Sequence, residues 1–555
     1  MKNLLEKIKK WFASLSKKTM IIMSSAVAVV LILVIILCAT TCSHSGKKDD
    51  STDNNSTISG GETGGPTDGG ESGGPTDGGE SGGYDNTAAE GFTLIELEDG
   101  TYKVTACDST KTEIVFPSKY NGKDVTMIAD EIFKGNTTIT SATIPGSVKT
   151  IADNAFNGCT SLTSVTIENG VKHIGSDAFK DCTSLANISL PNSLTSISFD
   201  AFDGATKLKE SYYTTEGNLK YFGGSDNRYF LLVGTTDYCE GTEYTINSKT
   251  KIIGEYAFEN CNKLTSTITI PDGVTGIGNS AFHTSSLKSI AIPDSVEEIG
   301  TYVFRYCYSL ASATIGTSVT SIGEGAFNGC EGLKTVNIPS GVTKISKKTF
   351  DNCKALTSIT IPNGVTTIED DAFSDCSTLT EIIVPNSVTS IGKSAFSSCS
   401  GLKNITLSNN ITKIDQYAFW CCTSLTSIAI PSSVMEIGAN AFDGCTKLSN
   451  IVIPDSVTKI GGFAFRNCTA LASVTIGSGV TSIGEMAFMD TALTDVTIPA
   501  NVTTMGEQVF AGCNYLDVIK VNATSEAGWD EHWDSYGFDG NAYIECKATI
   551  VLDQG

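Results

Sequence analysis

The chain is 555 residues long, carries a formal net charge of −23, and holds 18 cysteines but only four histidines. An acidic body of this kind repels phosphate backbones, which argues against nucleic acid as a partner. The length would house several ordinary domains, so internal repetition is the first question.

In chain order, residues 1–19 form a lysine-rich stub ahead of the run MIIMSSAVAVVLILVIILCA. As a helix that uncharged stretch would span about 30 Å, the thickness of a bilayer core. Residues 20–40 therefore read as one membrane-spanning anchor. Lys2, Lys7, Lys9, Lys10, Lys17 and Lys18 before it place the N-terminus in the cytoplasm and the C-terminal body outside. A cleaved signal peptide, or a lipid on Cys38 or Cys42, is the rival reading. The apolar run is longer than a signal peptide's, and neither cysteine follows a convincing lipoprotein box. Either rival still leaves the body outside.

Residues 41–90 are a Gly/Ser/Thr/Pro/acidic linker in which GGPTDGGES occurs twice in tandem, at 64–72 and 73–81. Such a composition cannot bury enough apolar surface to offset ordering entropy, so a disordered tether is expected. Residues 91–130 read as an N-terminal cap, 131–513 as a repeat array with an insertion at about 209–250, and 514–555 as a C-terminal cap.

The repeat is marked by sixteen phenylalanines from Phe133 to Phe510, spaced 23 residues apart except for steps of 24, 22 and 22 and one jump of 56 between Phe202 and Phe258. From Phe350 the frame runs Cys353, Leu356, Ile359, Ile361, Pro362, Val365, Ile368, Ala372 and then Phe373. Leu-x-x-Ile-x-Ile ends with the period of a strand, and Pro closes it where a missing N–H does least harm. Val-x-x-Ile-Gly is a second short extended piece, and Ala-Phe-x-x-Cys turns a corner. A unit this short cannot bury its own apolar face, so stacked copies are required. The fold expected is a β-rich solenoid, drawn as one rod or shallow arc of about 75–80 Å if sixteen strands repeat every 4.8 Å or so.

Twelve cysteines stand three residues after the repeat phenylalanine: Cys159, Cys182, Cys261, Cys307, Cys330, Cys353, Cys376, Cys399, Cys422, Cys445, Cys468 and Cys513. A row of sulfurs about 4.8 Å apart cannot converge tetrahedrally on zinc. Disulfides between neighbours fit the allowed Cα window, but would pull coils off their shared ladder. A reduced, buried packing column is the favoured reading, since free cysteine packs as a small hydrophobe.

This frame resembles the BspA-type leucine-rich-repeat family, on residues such as IPNGVTTIEDDAFSDCSTLTEI at 361–382. The resemblance spans about residues 91–540. GTYKVTACDSTKTEIVFPSKYNGKDVTMI (100–128) is similar to the family's N-terminal cap, and GWDEHW (528–533) to the motif that follows its last repeat. The resemblance implies a cell-surface protein, adhesive in many members and of unknown ligand; no cofactor is expected.

No histidine pairs with a serine or cysteine in a recognisable nucleophile motif, and Gly-rich 61–83 lacks the strand, lysine and helix of a phosphate loop. The chain therefore reads as a non-enzyme. Its contact surfaces would be three. The insertion crowds Tyr212, Tyr213, Tyr221 and Tyr229 into a segment that reads as a β-hairpin around GGSDN, either packed on the solenoid or protruding toward a ligand. The strand face exposes Asn337, Thr360, Ile383 and Thr406 between its inward residues. The corners carry Tyr306, Tyr308 and Trp420. The expected role is binding an extracellular protein or matrix ligand, with self-association possible. The alternative is a structural spacer or envelope organiser with no ligand of its own.

Overall fold

The computed structural model describes residues 86–522, 528–539, 542–545 and 549–552. All belong to one compact unit, Gly82–Gly555. The stub, the proposed anchor and all but the last five residues of the 41–90 segment lie outside the described residues. Among the described residues no helix is long and apolar enough to cross a membrane.

The fold is a β-solenoid of about 18 turns. It opens with an antiparallel pair, Phe92–Glu96 against Tyr102–Cys107, and Tyr102–Cys107 then starts a parallel ladder with Lys123–Ile128. From there each coil contributes two short strands. One lies on the Leu-x-x-Ile-x-Ile side, as in Ser141–Ile144 beside Ser164–Ile167, and one on the Val-x-x-Ile side, as in Thr150–Ile151 beside His173–Ile174. Equivalent residues pair, because a slip of one residue would turn every inward Ile to solvent.

The Ala-Phe corner adds its own bonds along the stack. Asn154, Phe156 and Gly158 donate their N–H groups to Ser176, Ala178 and Lys180 carbonyls of the next coil at 2.8, 2.8 and 2.7 Å. Asn154 and Gly158 hold φ of 57° and 75°, and this left-handed conformation turns their amides along the axis. Asn, Asp and Gly recur at these two positions because they adopt it most readily. Inside the corner the phenylalanines stack, for example Phe156 on Phe179 at 5.2 Å and 8°, and Phe373 on Phe396 at 5.4 Å and 2°.

Sixteen phenylalanines undercount the coils by two. The strands Tyr102–Cys107 and Leu231–Thr235 each occupy a turn of the ladder without an Ala-Phe pair. The second belongs to the insertion, which holds a helix, Thr206–Tyr212, and three antiparallel strands, Tyr213–Glu216, Leu219–Phe222 and Leu231–Thr235. The hairpin around GGSDN is present; the helix and the third strand have no marker in the repeat frame.

The insertion also ends the single rod that the spacing suggests. Phe222 stacks on Phe202 at 4.8 Å and closes the first phenylalanine column, while Tyr244 packs on Phe258 at the start of the second. The apolar core is accordingly in two clusters, one running from Tyr102 to Ile252 and one from Leu219 to Trp533. The Val-x-x-Ile faces of the two segments meet at an elbow. Thr275 Oγ1 donates to Leu194 O at 2.7 Å, Thr195 Oγ1 to Glu298 Oε2 at 2.9 Å, and Lys172 pairs with Glu297. Gly276 makes this approach possible: a Cβ there would stand 1.7 Å from Thr195 O.

Eleven of the twelve column cysteines are free and buried. Each donates its S–H, at 3.0–3.3 Å, to the carbonyl of the repeat phenylalanine one coil back, as Cys376 does to Phe350 and Cys399 to Phe373. The sulfur is thus a donor as well as filler. Where the column lacks cysteine, Ser285 and Thr491 put hydroxyls against Cys307 and Cys513 at 3.3 and 3.1 Å. Burial pushes Cys307 up to about 11 and Cys399 to about 12, and holds Cys330, Cys353, Cys376, Cys422 and Cys445 well above the ordinary thiol value. They therefore stay protonated, and thiols in that state neither bind metal nor attack. Among the described residues no three or more His, Cys, Asp or Glu gather as metal ligands.

Cys261 departs from the reduced column: it is disulfide-bonded to Cys239. The coil before it is the insertion's, which has no repeat phenylalanine to offer a carbonyl and supplies a cysteine instead.

Three outcomes test this architecture. Gly276→Val places branched carbons against a backbone carbonyl that no rotamer change can move. It should destabilise by about 1–3 kcal/mol and open the elbow, seen as a larger radius of gyration in small-angle scattering; identical scattering would show that the segments are not held there. Cys399→Ser keeps a donor for Phe373 O and should cost about 1 kcal/mol, whereas Cys399→Val should cost more, about 1–3 kcal/mol, in urea titrations. The third concerns pH. The folded thiols are raised above their ordinary value of 9.0, so the unfolded chain ionises first as pH rises. Their contribution is full below pH 9 and is lost between about 9 and 12, so the urea midpoint should fall through that window. A flat midpoint would contradict buried, protonated thiols.

Candidate functional site

Tyr212, Tyr213, Tyr221 and Tyr229 of the insertion are engaged in packing. Tyr221 is fully buried and its hydroxyl accepts the Asn247 N–H at 3.1 Å. Tyr212 bridges the Ile188 N–H and C=O at 3.1 and 3.2 Å, standing in for the strand a further coil would supply. Tyr213 is half-buried beside Phe222 with Lys220 over its ring, and Tyr229 sets its edge on Tyr221. Of the two readings these four tyrosines take the packed one, whereas Tyr238 of the same insertion is exposed by 95%. The physical reason is the elbow: the insertion must cover the open end of each segment, and aromatic rings fill those ends.

On the strand face, Thr360, Ile383 and Thr406 are exposed, Ile383 by 69%. Asn337 lies among them, but its amide is engaged within the protein. It donates to Ile315 O and accepts from Ile315 N–H, both at 2.8 Å. The four share a face on which open, shallow hollows lie between Asn337 and Thr360, between Thr360 and Ile383, and between Ile383 and Thr406, without a polar cluster.

The corner of the Phe304 coil is different. The stretch TYVFRYCY (301–308) puts Tyr302 and Tyr306 two residues either side of Phe304, at the two left-handed positions, with φ of 55° and 58°. Both side chains are thereby turned out of the core. Arg305 lies between them, its guanidinium carbon 4.8 Å from the Tyr302 ring centroid and 4.5 Å from that of Tyr306. Tyr308 stacks on Tyr306 at 5.8 Å and 15° and is exposed by 55%. His283 of the preceding coil tilts against Tyr306 at 5.9 Å.

Polar contacts lock this group. The Tyr302 hydroxyl donates to Glu324 Oε1 at 2.8 Å, and that bond, with partial burial, raises its pKa above the usual phenol value. Arg305 donates from Nε to Asn328 Oδ1 at 3.0 Å and from Nη2 to the Tyr306 hydroxyl at 2.9 Å. Asn328 is buried and in turn donates to Asp351 Oδ2 at 2.8 Å, which fixes its amide with the oxygen toward the arginine. The next coil carries Gly325 and Gly329 where the tyrosines stand in this one. A Cβ at either would fall 2.4 Å from a tyrosine ring carbon, so the rings lie on bare backbone.

Reading the sequence picked out Tyr306 and Tyr308 and missed Tyr302 and Arg305. The signal was present: both occupy outward corner positions fixed by their distance from Phe304. Trp420 stands at another corner with Tyr417, both about one-third exposed, and joins no comparable stack. The geometry offers a flat, rigid, aromatic and cationic surface with no catalytic pairing.

The model for the BspA type leucine-rich-repeat region (six copies) matches residues 107–225, 236–357, 343–453 and 435–528. No curated protein matches the chain significantly. Among solved structures, a leucine-rich cell-surface protein from Faecalibacterium prausnitzii is 31% identical over 70% of this chain and 93% of its own, with a TM-score of 0.29. A leucine-rich-repeat protein from Bacteroides ovatus is 22% identical over 84% of this chain and 99% of its own, with a TM-score of 0.42. With the repeat model matching most of its length, the chain belongs to the BspA-type leucine-rich-repeat family.

Proposed function

We propose that this chain is a non-enzymatic binding protein of the cell surface. Residues 20–40 anchor it, residues 41–90 tether it, and the solenoid meets a protein partner outside the cell. Leucine-rich-repeat proteins are generally non-enzymatic scaffolds that bind proteins, and the Faecalibacterium relative is described as a cell-surface protein. The observation that carries the reading is the Tyr302–Arg305–Tyr306–Tyr308 group. Tyrosine and arginine dominate protein-binding hot spots, because they bring large contact area with little flexibility to lose. Here they are held before any partner arrives. The test is capture by the full-length purified chain from surface extracts of candidate host or neighbouring cells, beside a Tyr306→Ala, Tyr308→Ala variant. A protein retained by the parent and weakened about tenfold or more by the variant supports the reading. Equal capture by both chains counts against this contact surface, and no capture by either favours a spacer without a ligand.

A further inference from the structure

The chain has three arginines, Arg228, Arg305 and Arg466. Arg305 and Arg466 each directly follow the phenylalanine of their coil, yet they end differently. Arg466 is neutralised by Asp443, Nη2 to Oδ2 at 2.6 Å, with a second bond from Nε at 3.2 Å. Arg305 has no carboxylate within 4.0 Å among the described residues, although the protein is strongly acidic. A guanidinium carries five N–H donors in a rigid planar fork. Asn328 and the Tyr306 hydroxyl take two of them, which leaves three without an acceptor in the protein.

These donors sit in an unusual setting. Tyrosine rings flank the guanidinium on both sides, and both tyrosines hold the left-handed backbone conformation that L-residues rarely adopt. The glycines of the next coil remove the side chains that would block the rings. The Asp351–Asn328 relay holds the guanidinium at its Nε edge. An arginine fixed by stacking and hydrogen bonds loses little freedom when it takes a ligand, and its fork matches the two oxygens of a carboxylate. We propose that the Tyr302–Arg305–Tyr306 stack receives one carboxylate of a polypeptide partner, an Asp or Glu side chain or a chain terminus, with Tyr308 covering the apolar surface beside it. The inference rests on the protein-binding reading and names what the partner must present. Because the surrounding body is acidic, the partner's carboxylate must stand alone on a neutral or basic surface; a densely acidic partner would be repelled. An exposed aromatic surface with no sugar-sized pocket fits a protein surface better than an acidic glycan.

The probe is a randomised peptide library displayed on phage and panned on the full-length chain. Enriched peptides should carry one Asp or Glu, or a free C-terminus, next to apolar residues. A synthetic peptide of the leading sequence should bind about 30-fold more tightly than its Asn or Gln counterpart. Arg305→Ala should lose a similar factor, and Arg305→Lys most of it, because an ammonium cannot form the planar pair. The amide peptide tested against Arg305→Ala should show little further loss, the signature of two directly coupled groups. Continued protection of the column thiols in each variant shows that the fold is intact. Peptides that bind equally as acid and amide, or equally to the parent and Arg305→Ala, overturn this proposal and leave protein binding itself standing. Enrichment of no peptide, or binding only of a polyuronate polysaccharide, overturns it as well. Loss of protein capture from surface extracts would instead remove the broader reading.

Discussion

No coil of this protein is complete by itself, because its hydrogen-bonding groups point along the stack. At the corner three successive alternate amides reach for carbonyls one coil onward, and the column thiol reaches for a phenylalanine carbonyl one coil back. Each coil is thus bonded in both directions at a place where a globular protein would have a solvent-facing turn. Stability becomes a property of neighbours, as in other one-dimensional arrays, and the two ends need special treatment. At the N-terminus an antiparallel strand covers the first edge. At the C-terminus GWDEHW supplies the carbonyls a further coil would have offered: Gln508 and Val509 donate to His532 and Trp533 at 2.9 and 3.0 Å. The Trp529 indole donates to Val502 O, anchoring the segment on the last full coil.

That same rule explains the cysteine. A small apolar side chain would fill the corner equally well, but it would leave the second lone pair of a buried carbonyl without a donor. Sulfur meets both needs with a weak donor and a modest volume. Where serine and threonine replace it at 285 and 491, their hydroxyls meet the column sulfur of the next coil instead. Ala205 occupies the position where the insertion begins and the chain turns into a helix, so the usual corner is not repeated there.

Much of the fold was legible because the frame is strict. Phe133 to Phe510 mark the coils, and Leu-x-x-Ile-x-Ile marks the inward residues, with Leu190, Ile359 and Val474 among those that stay only partly buried. The elbow was not legible. Gly276 reads in sequence as one more glycine of a Gly-rich repeat, and only the carbonyl of Thr195, 81 positions earlier, gives it meaning. The two coils without an Ala-Phe pair were hidden for a related reason: their ladder positions are filled by cap and insertion strands that lack the marker. The disulfide at Cys261 and the Arg305 stack lie between these cases. Their residues were countable, but their roles depend on which coil stands next to them.

The left-handed corner residues have a further consequence. Their amides bond to the adjoining coil, while most of their side chains turn toward the outer surface, Asn440 and Gln508 staying buried. Apart from Asp200, positions two before and two after the repeat phenylalanines hold Asn, Asp, Gly, Ser, Thr, Glu, Gln, Lys, Tyr, Phe, Met and Cys in the same conformation. The outer corner is therefore a keyboard whose keys can be exchanged one by one while the frame beneath stays in tune. A lineage could also duplicate or delete one 23-residue block and shift such a chemical patch a single step along the axis, leaving patch and scaffold each unchanged.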